Sequence, residues 1–138
     1  MMSKSTLDLL LKSDLTKIQI PTKEVELKRL SEILGDTVIF KCEALDAERF
    51  NEIQENALHI NEKGEFENIN TGEMQIFTIL EGVKEPSLKS KDLLEKFGAV
   101  TPKELIKKLL LPGEISNLYN IISELSGFNK DTVVEIKN

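Results

Sequence analysis

The sequence is short of the residues from which catalytic and metal-binding sites are usually built. It has one histidine, His59, one cysteine, Cys42, and no tryptophan in 138 residues. One histidine and one distant cysteine do not make a usual zinc site. No nucleophile–base pair, glycine-rich phosphate loop or calcium-loop spacing occurs either. We therefore predict a protein that is not an enzyme and that uses no metal or cofactor.

The single cysteine and the lack of long apolar runs also bear on location. Cys42 has no partner for an internal disulfide and lies in a strand-like run, so we predict a buried free thiol in a reducing compartment. No run approaches the roughly 20 apolar residues of a membrane-spanning helix. The first residues contain a short leucine cluster but no small-residue cleavage site. We expect a cytoplasmic protein that does not bind a membrane.

Arginine is also scarce, and the charge of the chain is uneven. There are two arginines and a net charge of −6, a balance that opposes binding to phosphate. Residues 41–83 hold ten acidic and three basic residues, whereas residues 84–108 hold seven lysines and four acids. Two short predicted helices in residues 90–110 have a spacing similar to helix-turn-helix proteins. A small DNA-binding regulator is therefore kept as the alternative to a protein that binds no nucleic acid.

What the sequence does contain is typical of one globular domain. Hydrophobic residues make up 40% and charged residues 30% of the chain, and its length suffices for a core without disulfides or metals. We predict an α+β fold that is predominantly helical, with an N-terminal β-hairpin followed by a bundle of short helices. The single domain spans 1–138, with 1–15 as a flexible arm, 16–45 as the hairpin, 46–128 as the helical part and 129–138 as a tail.

The hairpin is predicted from two segments that alternate apolar and polar residues. Residues 23–30 favour a strand, although their composition also permits a helix. Residues 37–45 place Val38, Phe40 and Cys42 on one face. Gly35 and Asp36 between them supply a turn.

The helices are predicted from their end signals. Asp46, Thr71, Ser90 and Thr101 are the predicted N-caps, and Pro102 follows the last of them in a capping box. The first of these helices is expected to span residues 47–58, with Phe50, Ile53, Ala57 and also Ile60 considered for its inward face, and residues 61–73 are expected to form a loop.

The last helix is bounded at both ends. Pro112 is predicted to begin it, and Gly127 to end it in the left-handed conformation with Phe128 folded back on Ile122. Because the corner at Pro112 looks structural, replacing Gly113 by valine is expected to lower stability.

A partner surface is predicted where this helix meets the one before it. Successive residues of a helix differ by about 100° in direction, so Leu109, Leu110 and Leu111 cannot all face one core. The predicted apolar groove is bordered by Leu110, Leu111 and Tyr119, with Lys103, Lys107 and Lys108 as its charged rim. Leu7, Leu10 and Leu11 of the arm are the next candidate.

The C-terminal third resembles a known family. The stretch "LKSKDLLEKFGAVTPKELIKKLLLPGEISNLYNIISELSGF", with the ending "EIKN", is similar to the XkdN-like phage tail assembly chaperones. The resemblance implies a small, non-enzymatic protein of a bacterial host cytoplasm, encoded by a phage, a prophage or a tail-like particle. It also implies binding to the tape measure protein, which is kept soluble until tail tube subunits polymerise around it. The tail tube protein and a second copy of the chain are the further partners considered.

Overall fold

The computed structural model describes residues 5–16, 18–60, 62–129 and 131–136. This part of the chain forms seven helices and five strands. The helices are α1 Thr6–Leu11, α2 Lys28–Leu34, α3 Ala47–Ala57, α4 Thr71–Gly82, α5 Lys91–Lys96, α6 Pro102–Leu109 and α7 Pro112–Leu125. The strands are β1 Thr22–Glu26, β2 Ile39–Glu43, β3 Leu58–Ile60, β4 Phe66–Ile69 and β5 Val83–Glu85. The predicted α+β class with a helical majority is confirmed.

The main sheet has three antiparallel strands in the order β1-β2-β5. The predicted pairing of the first two strands is correct, with Thr22 opposite Glu43 and Glu26 opposite Ile39. The prediction of a simple hairpin is wrong, because helix α2 lies in the connection and β5 joins the sheet from beyond α4. Residues 28–34 form α2, which buries Leu30 in the core. The part of the predicted strand segment 23–30 that does form a strand ends at Glu26.

A second, two-stranded sheet replaces the predicted loop. Strands β3 and β4 pair antiparallel, with Leu58 opposite Ile69 and His59 opposite Asn68. Helix α3 accordingly ends at Ala57, and the predicted inward side chain of Ile60 lies outside the described residues. The turn between the two strands is polar, as the loop prediction assumed, but the residues on either side of it pair as antiparallel strands.

The helix N-termini follow the predicted signals closely. Asp46, Ser90 and Thr101 each accept a hydrogen bond from the backbone N–H three residues later. Helix α4 is capped by Asn70 and not by the predicted Thr71. Asparagine satisfies the same free N–H groups, so the boundary moves by one residue without changing the helix.

The core lies between the inner face of the main sheet and the helices of the second half. Helix α4 packs on α3, α6 and α7, and α7 also contacts β2. At the crossing of α4 and α7, a Cβ added to Gly82 would lie 2.6 Å from Cδ1 of Ile122, so the missing side chain allows the helices to approach. The core cluster consists of Leu27, Leu30, Phe40, Cys42, Ile76, Ile79, Val83, Leu88, Leu105, Ile106, Leu110, Leu118 and Ile122.

Helix α7 ends as its glycine predicts, but its aromatic neighbour packs elsewhere. Gly127 has a φ of +96°, which glycine adopts without a Cβ penalty. The ring of Phe128 lies against Phe50 of α3, with the ring centroids 4.7 Å apart. Gly113 has a negative φ, and nothing lies within 4 Å of a Cβ added there. The structure thus gives no steric reason for Gly113→Val to be destabilising.

Candidate functional site: partner-binding surfaces

The corner between α6 and α7 separates the three predicted leucines. Leu110 is 4% exposed and belongs to the core, Leu109 is partly buried, and Leu111 is 50% exposed at the N-cap of α7. The expectation that at least one of them reaches the surface is confirmed. Tyr119 is partly buried on α7.

Two of the three predicted rim lysines hold helices together. The Nζ of Lys103 lies 3.0 Å from Oε1 of Glu73, which joins α6 to α4. Lys108 donates to the carbonyl oxygen of Gly98 at 2.9 Å and so ties α6 to the end of α5. Lys107 is exposed. Leu111 and Lys107 are therefore the predicted site residues most open to a partner.

An ion pair that was not predicted from the sequence connects helix α2 to the corner between α6 and α7. Arg29 of α2 forms a two-bond pair with Glu114, with Nη2 at 2.8 Å and Nε at 3.1 Å, and Nη2 also donates to the carbonyl oxygen of Leu109. Oε1 of Glu114 accepts a hydrogen bond from the N–H of Leu111 at 2.7 Å. The Arg29 guanidinium lowers the pKa of the Glu114 carboxyl, with a smaller contribution from the Leu111 N–H. Of the two partners, only Glu114 could be recognised from the sequence, because an acidic residue in the first turn of a helix complements the helix dipole.

A groove of about 240 Å³ lies between the end of strand β1 and helix α7. Its apolar lining residues are Val25, Leu27, Leu118 and Ile121, and its polar lining residues are Glu26, Lys28, Arg29, Glu114 and Asn117. A second depression, of about 380 Å³, is lined by residues 18–21, 44–46 and 125–127. The sequence analysis did not identify this groove, because its two walls lie about 90 residues apart.

The largest concentration of exposed apolar side chains is N-terminal. The seven residues are all at least half exposed: Leu7, Leu9, Leu10, Leu11, Leu15, Ile18 and Ile20. Helix α1 has no buried residue. Isolated helices of this length are marginal in water. The leucines named as the second candidate are therefore available to a partner.

The described residues contain no group of three His, Cys, Asp or Glu side chains arranged to hold a metal ion. None of the described helices combines the length and apolar content that crossing a bilayer requires. Cys42 is fully buried, and burial raises the pKa of its thiol.

The comparisons with known proteins identify the family. The model of the phage XkdN-like tail assembly chaperone proteins matches residues 7–137, so the chain belongs to this family of phage tail assembly chaperones. The fold is similar to the crystal structure of the protein YqbN, a structural genomics target, with a TM-score of 0.60 and 25% identity. That match covers 85% of this chain and 98% of the other. No curated protein sequence matches the chain significantly.

Proposed function

We propose that this chaperone binds the tape measure protein of its phage tail and keeps it soluble in the host cytoplasm until the tail tube assembles. The observation that carries the proposal is the group of seven exposed leucine and isoleucine side chains between Leu7 and Ile20, on a member of a tail assembly chaperone family. Contiguous exposed apolar surface is typical of interaction sites. A long, largely helical tape measure protein offers the matching apolar faces.

The arm has enough apolar surface for a reversible complex. Burying one leucine side chain contributes about 1.5–3 kcal/mol, and the arm exposes four leucines between Leu7 and Leu11. Part of that gain is offset by ordering the arm and by the loss of rigid-body freedom on association. We expect binding that is strong enough to prevent aggregation and weak enough for the tube subunits to displace the chaperone.

The corner at Leu111 is the second contact surface. Leu111 is half exposed, and Lys107, four residues earlier in the chain, is also exposed; an apolar centre with a charged border is typical of interfaces. Binding of a partner at this surface requires no catalytic residue. The DNA-binding alternative rests on residues 90–110, and no further observation adds to it.

Co-expression with the tape measure protein tests the function. We expect the wild-type chain to raise the soluble fraction of the tape measure protein and to co-purify with it. Replacing Leu7, Leu10 and Leu11 together by serine should remove most of this effect. The matched control replaces Ile33 and Leu34 by serine, which are equally exposed but lie on α2. A tape measure protein that stays insoluble with the wild-type chain would contradict the proposed function.

Leu111→Asp tests the corner separately. Aspartate is a favoured N-cap residue, and Leu111 occupies the N-cap of α7, so the variant should fold. Weaker co-purification would support the corner as a contact, and unchanged co-purification would restrict binding to other surfaces.

A further inference from the structure

Strand β1 is an edge strand of the main sheet, and the register shows which of its residues face outward. The N–H of Leu27 donates to the carbonyl oxygen of Val38, and the N–H of Ala44 donates to that of Pro21, both at 2.9 Å. In an antiparallel pair, alternate residues direct both backbone groups to the same neighbour. The odd-numbered residues of β1 therefore bond to β2.

The even-numbered residues Thr22, Glu24 and Glu26 consequently direct their N–H and C=O groups away from β2. No other strand of the described residues pairs with β1 on that side. This edge offers a hydrogen-bonding template for an added strand.

The two faces beside this edge differ in chemistry. On the inner side lies the groove to α7, where Val25, Leu118 and Ile121 provide apolar surface and the paired Arg29 and Glu114 are among the polar lining residues. On the outer side the sheet is acidic, since Glu24 and Glu26 are exposed and Lys41, opposite Glu24, is itself flanked by Glu85. A strand that fits both faces has apolar residues on one side and basic residues on the other.

We propose that the free edge of β1 binds an extended segment of the tape measure protein in which apolar residues alternate with lysine or arginine. The segment adds as a fourth strand, with its apolar side chains in the groove against α7 and its basic side chains beside Glu24 and Glu26. This inference rests on the proposed function for the identity of the partner. Its chemistry rests on the edge, the groove and the acidic outer face.

The same charges disfavour a second copy as the occupant. If two β1 strands paired antiparallel through their free edges with all three outward residues matched, Glu24 would oppose Glu24. Like charges directly opposite each other in a sheet are destabilising. An acidic edge thus discourages self-association while it leaves a basic strand free to bind.

The direct test measures binding of a fluorescein-labelled peptide with four Val-Lys repeats by fluorescence anisotropy. An acidic peptide with four Val-Glu repeats is the control. We expect the basic peptide to bind at least tenfold more tightly at low salt, and the difference to shrink as salt increases. Equal binding of both peptides, or no binding of either, would overturn the proposal.

A proline variant tests the strand edge itself. Glu24→Pro removes an outward N–H while it keeps every bond to β2, and proline is tolerated at edges whose N–H faces solvent. Peptide affinity should fall at least tenfold, whereas Glu24→Gln should weaken it by less than threefold. Thermal unfolding checks that Glu24→Pro folds. Undiminished binding by the folded proline variant would show that the backbone edge is not the site.

A charge reversal keeps the test valid if the proline variant is unstable. Glu24→Lys combined with Glu26→Lys changes only exposed side chains, and it should reverse the preference toward the acidic peptide. An unchanged preference would overturn the proposal. Wild-type self-association that Glu24→Pro abolishes would also overturn it, by assigning the edge to a second copy.

Co-expression separates this inference from the proposed function. If wild-type chain solubilises the tape measure protein and folded Glu24→Pro does so equally well, the function stands and the strand-addition site is wrong. If neither form solubilises it, the function fails, whatever the peptides show.

Discussion

Helices α1 and α7 both have a side-chain hydrogen bond at their N-terminus, but they differ in what they pack against. In α1 the side chain of Ser5 accepts the N–H of Asp8, and in α7 the side chain of Glu114 accepts the N–H of Leu111. Helix α7 buries Leu118 and Ile122, whereas α1 buries no residue. A cap therefore fixes where a helix begins, while contacts with the core decide how much the helix contributes to the stability of the domain.

The largest expected effect comes from removing a packed side chain of α7. Ile122 is fully buried against Gly82, so Ile122→Ala should reduce the free energy of unfolding by about 2–5 kcal/mol. Urea unfolding followed by circular dichroism measures this. The control Val100→Ala truncates an exposed side chain and should change stability by less than about 0.5 kcal/mol. Similar losses in both variants would contradict the described core.

A smaller loss is expected from adding one methyl group at the crossing of α4 and α7. The new Cβ in Gly82→Ala would lie 2.6 Å from Cδ1 and 2.8 Å from Cγ2 of Ile122, and overpacking of this kind costs about 1–3 kcal/mol. Ile122→Val removes the nearer contact, so it should cost less in the Gly82→Ala background than in the wild type. Gly113→Ala is the matched control, because nothing lies within 4 Å of its new Cβ. Additive effects of the two core changes would argue against a clash.

The ion pair at the start of α7 gives a smaller, pH-dependent effect. Arg29 lowers the pKa of Glu114 below its usual value of 4.5, so the pair stabilises the fold above that pH. This contribution is lost as the pH falls through the folded-state pKa. Glu114→Gln keeps an acceptor for Leu111 and should cost about 1 kcal/mol at pH 7. Urea unfolding from pH 7 to pH 3 should show this difference shrinking in acid. A difference that is constant over this range would exclude the charge as its source.

The smallest effect on stability is expected from the arm. Because Leu7, Leu10 and Leu11 are exposed, replacing all three by serine should change the free energy of unfolding by less than about 0.5 kcal/mol. The same triple variant is expected to lose most of its effect on the tape measure protein. A clear drop in the unfolding midpoint would mean that α1 docks on the domain in solution, and the contrast with α7 would then be wrong.

The sequence predicted best those features that depend on nearby residues. The caps at Asp46, Ser90 and Thr101 and the stop at Gly127 each involve bonds within a few positions, so the local pattern contains the whole cause. Helix geometry likewise predicted that at least one of the three leucines is exposed, but not that this residue is Leu111. The partner role assigned to it is still a prediction.

Several features that sequence analysis missed depend on distant residues. The bond between Arg29 and Glu114 spans 85 positions, and β5 becomes a strand only because β2 lies beside it. Residues 23–30 were compatible with both a strand and a helix, and the structure divides them between β1 and α2, with Leu30 buried in the core. The groove beside β1 is likewise a product of packing, because neither of its walls is recognisable alone.

The pairing of Arg29 with Glu114 also has a consequence during synthesis. At roughly 5–20 residues per second, the ribosome needs about 4–17 s to advance the 85 positions between the two partners. Throughout that interval α7 is missing, so the nascent chain has no second wall for its groove and no partner for the arginine. A truncated product of interrupted translation would therefore present its exposed N-terminal leucines without the completed groove.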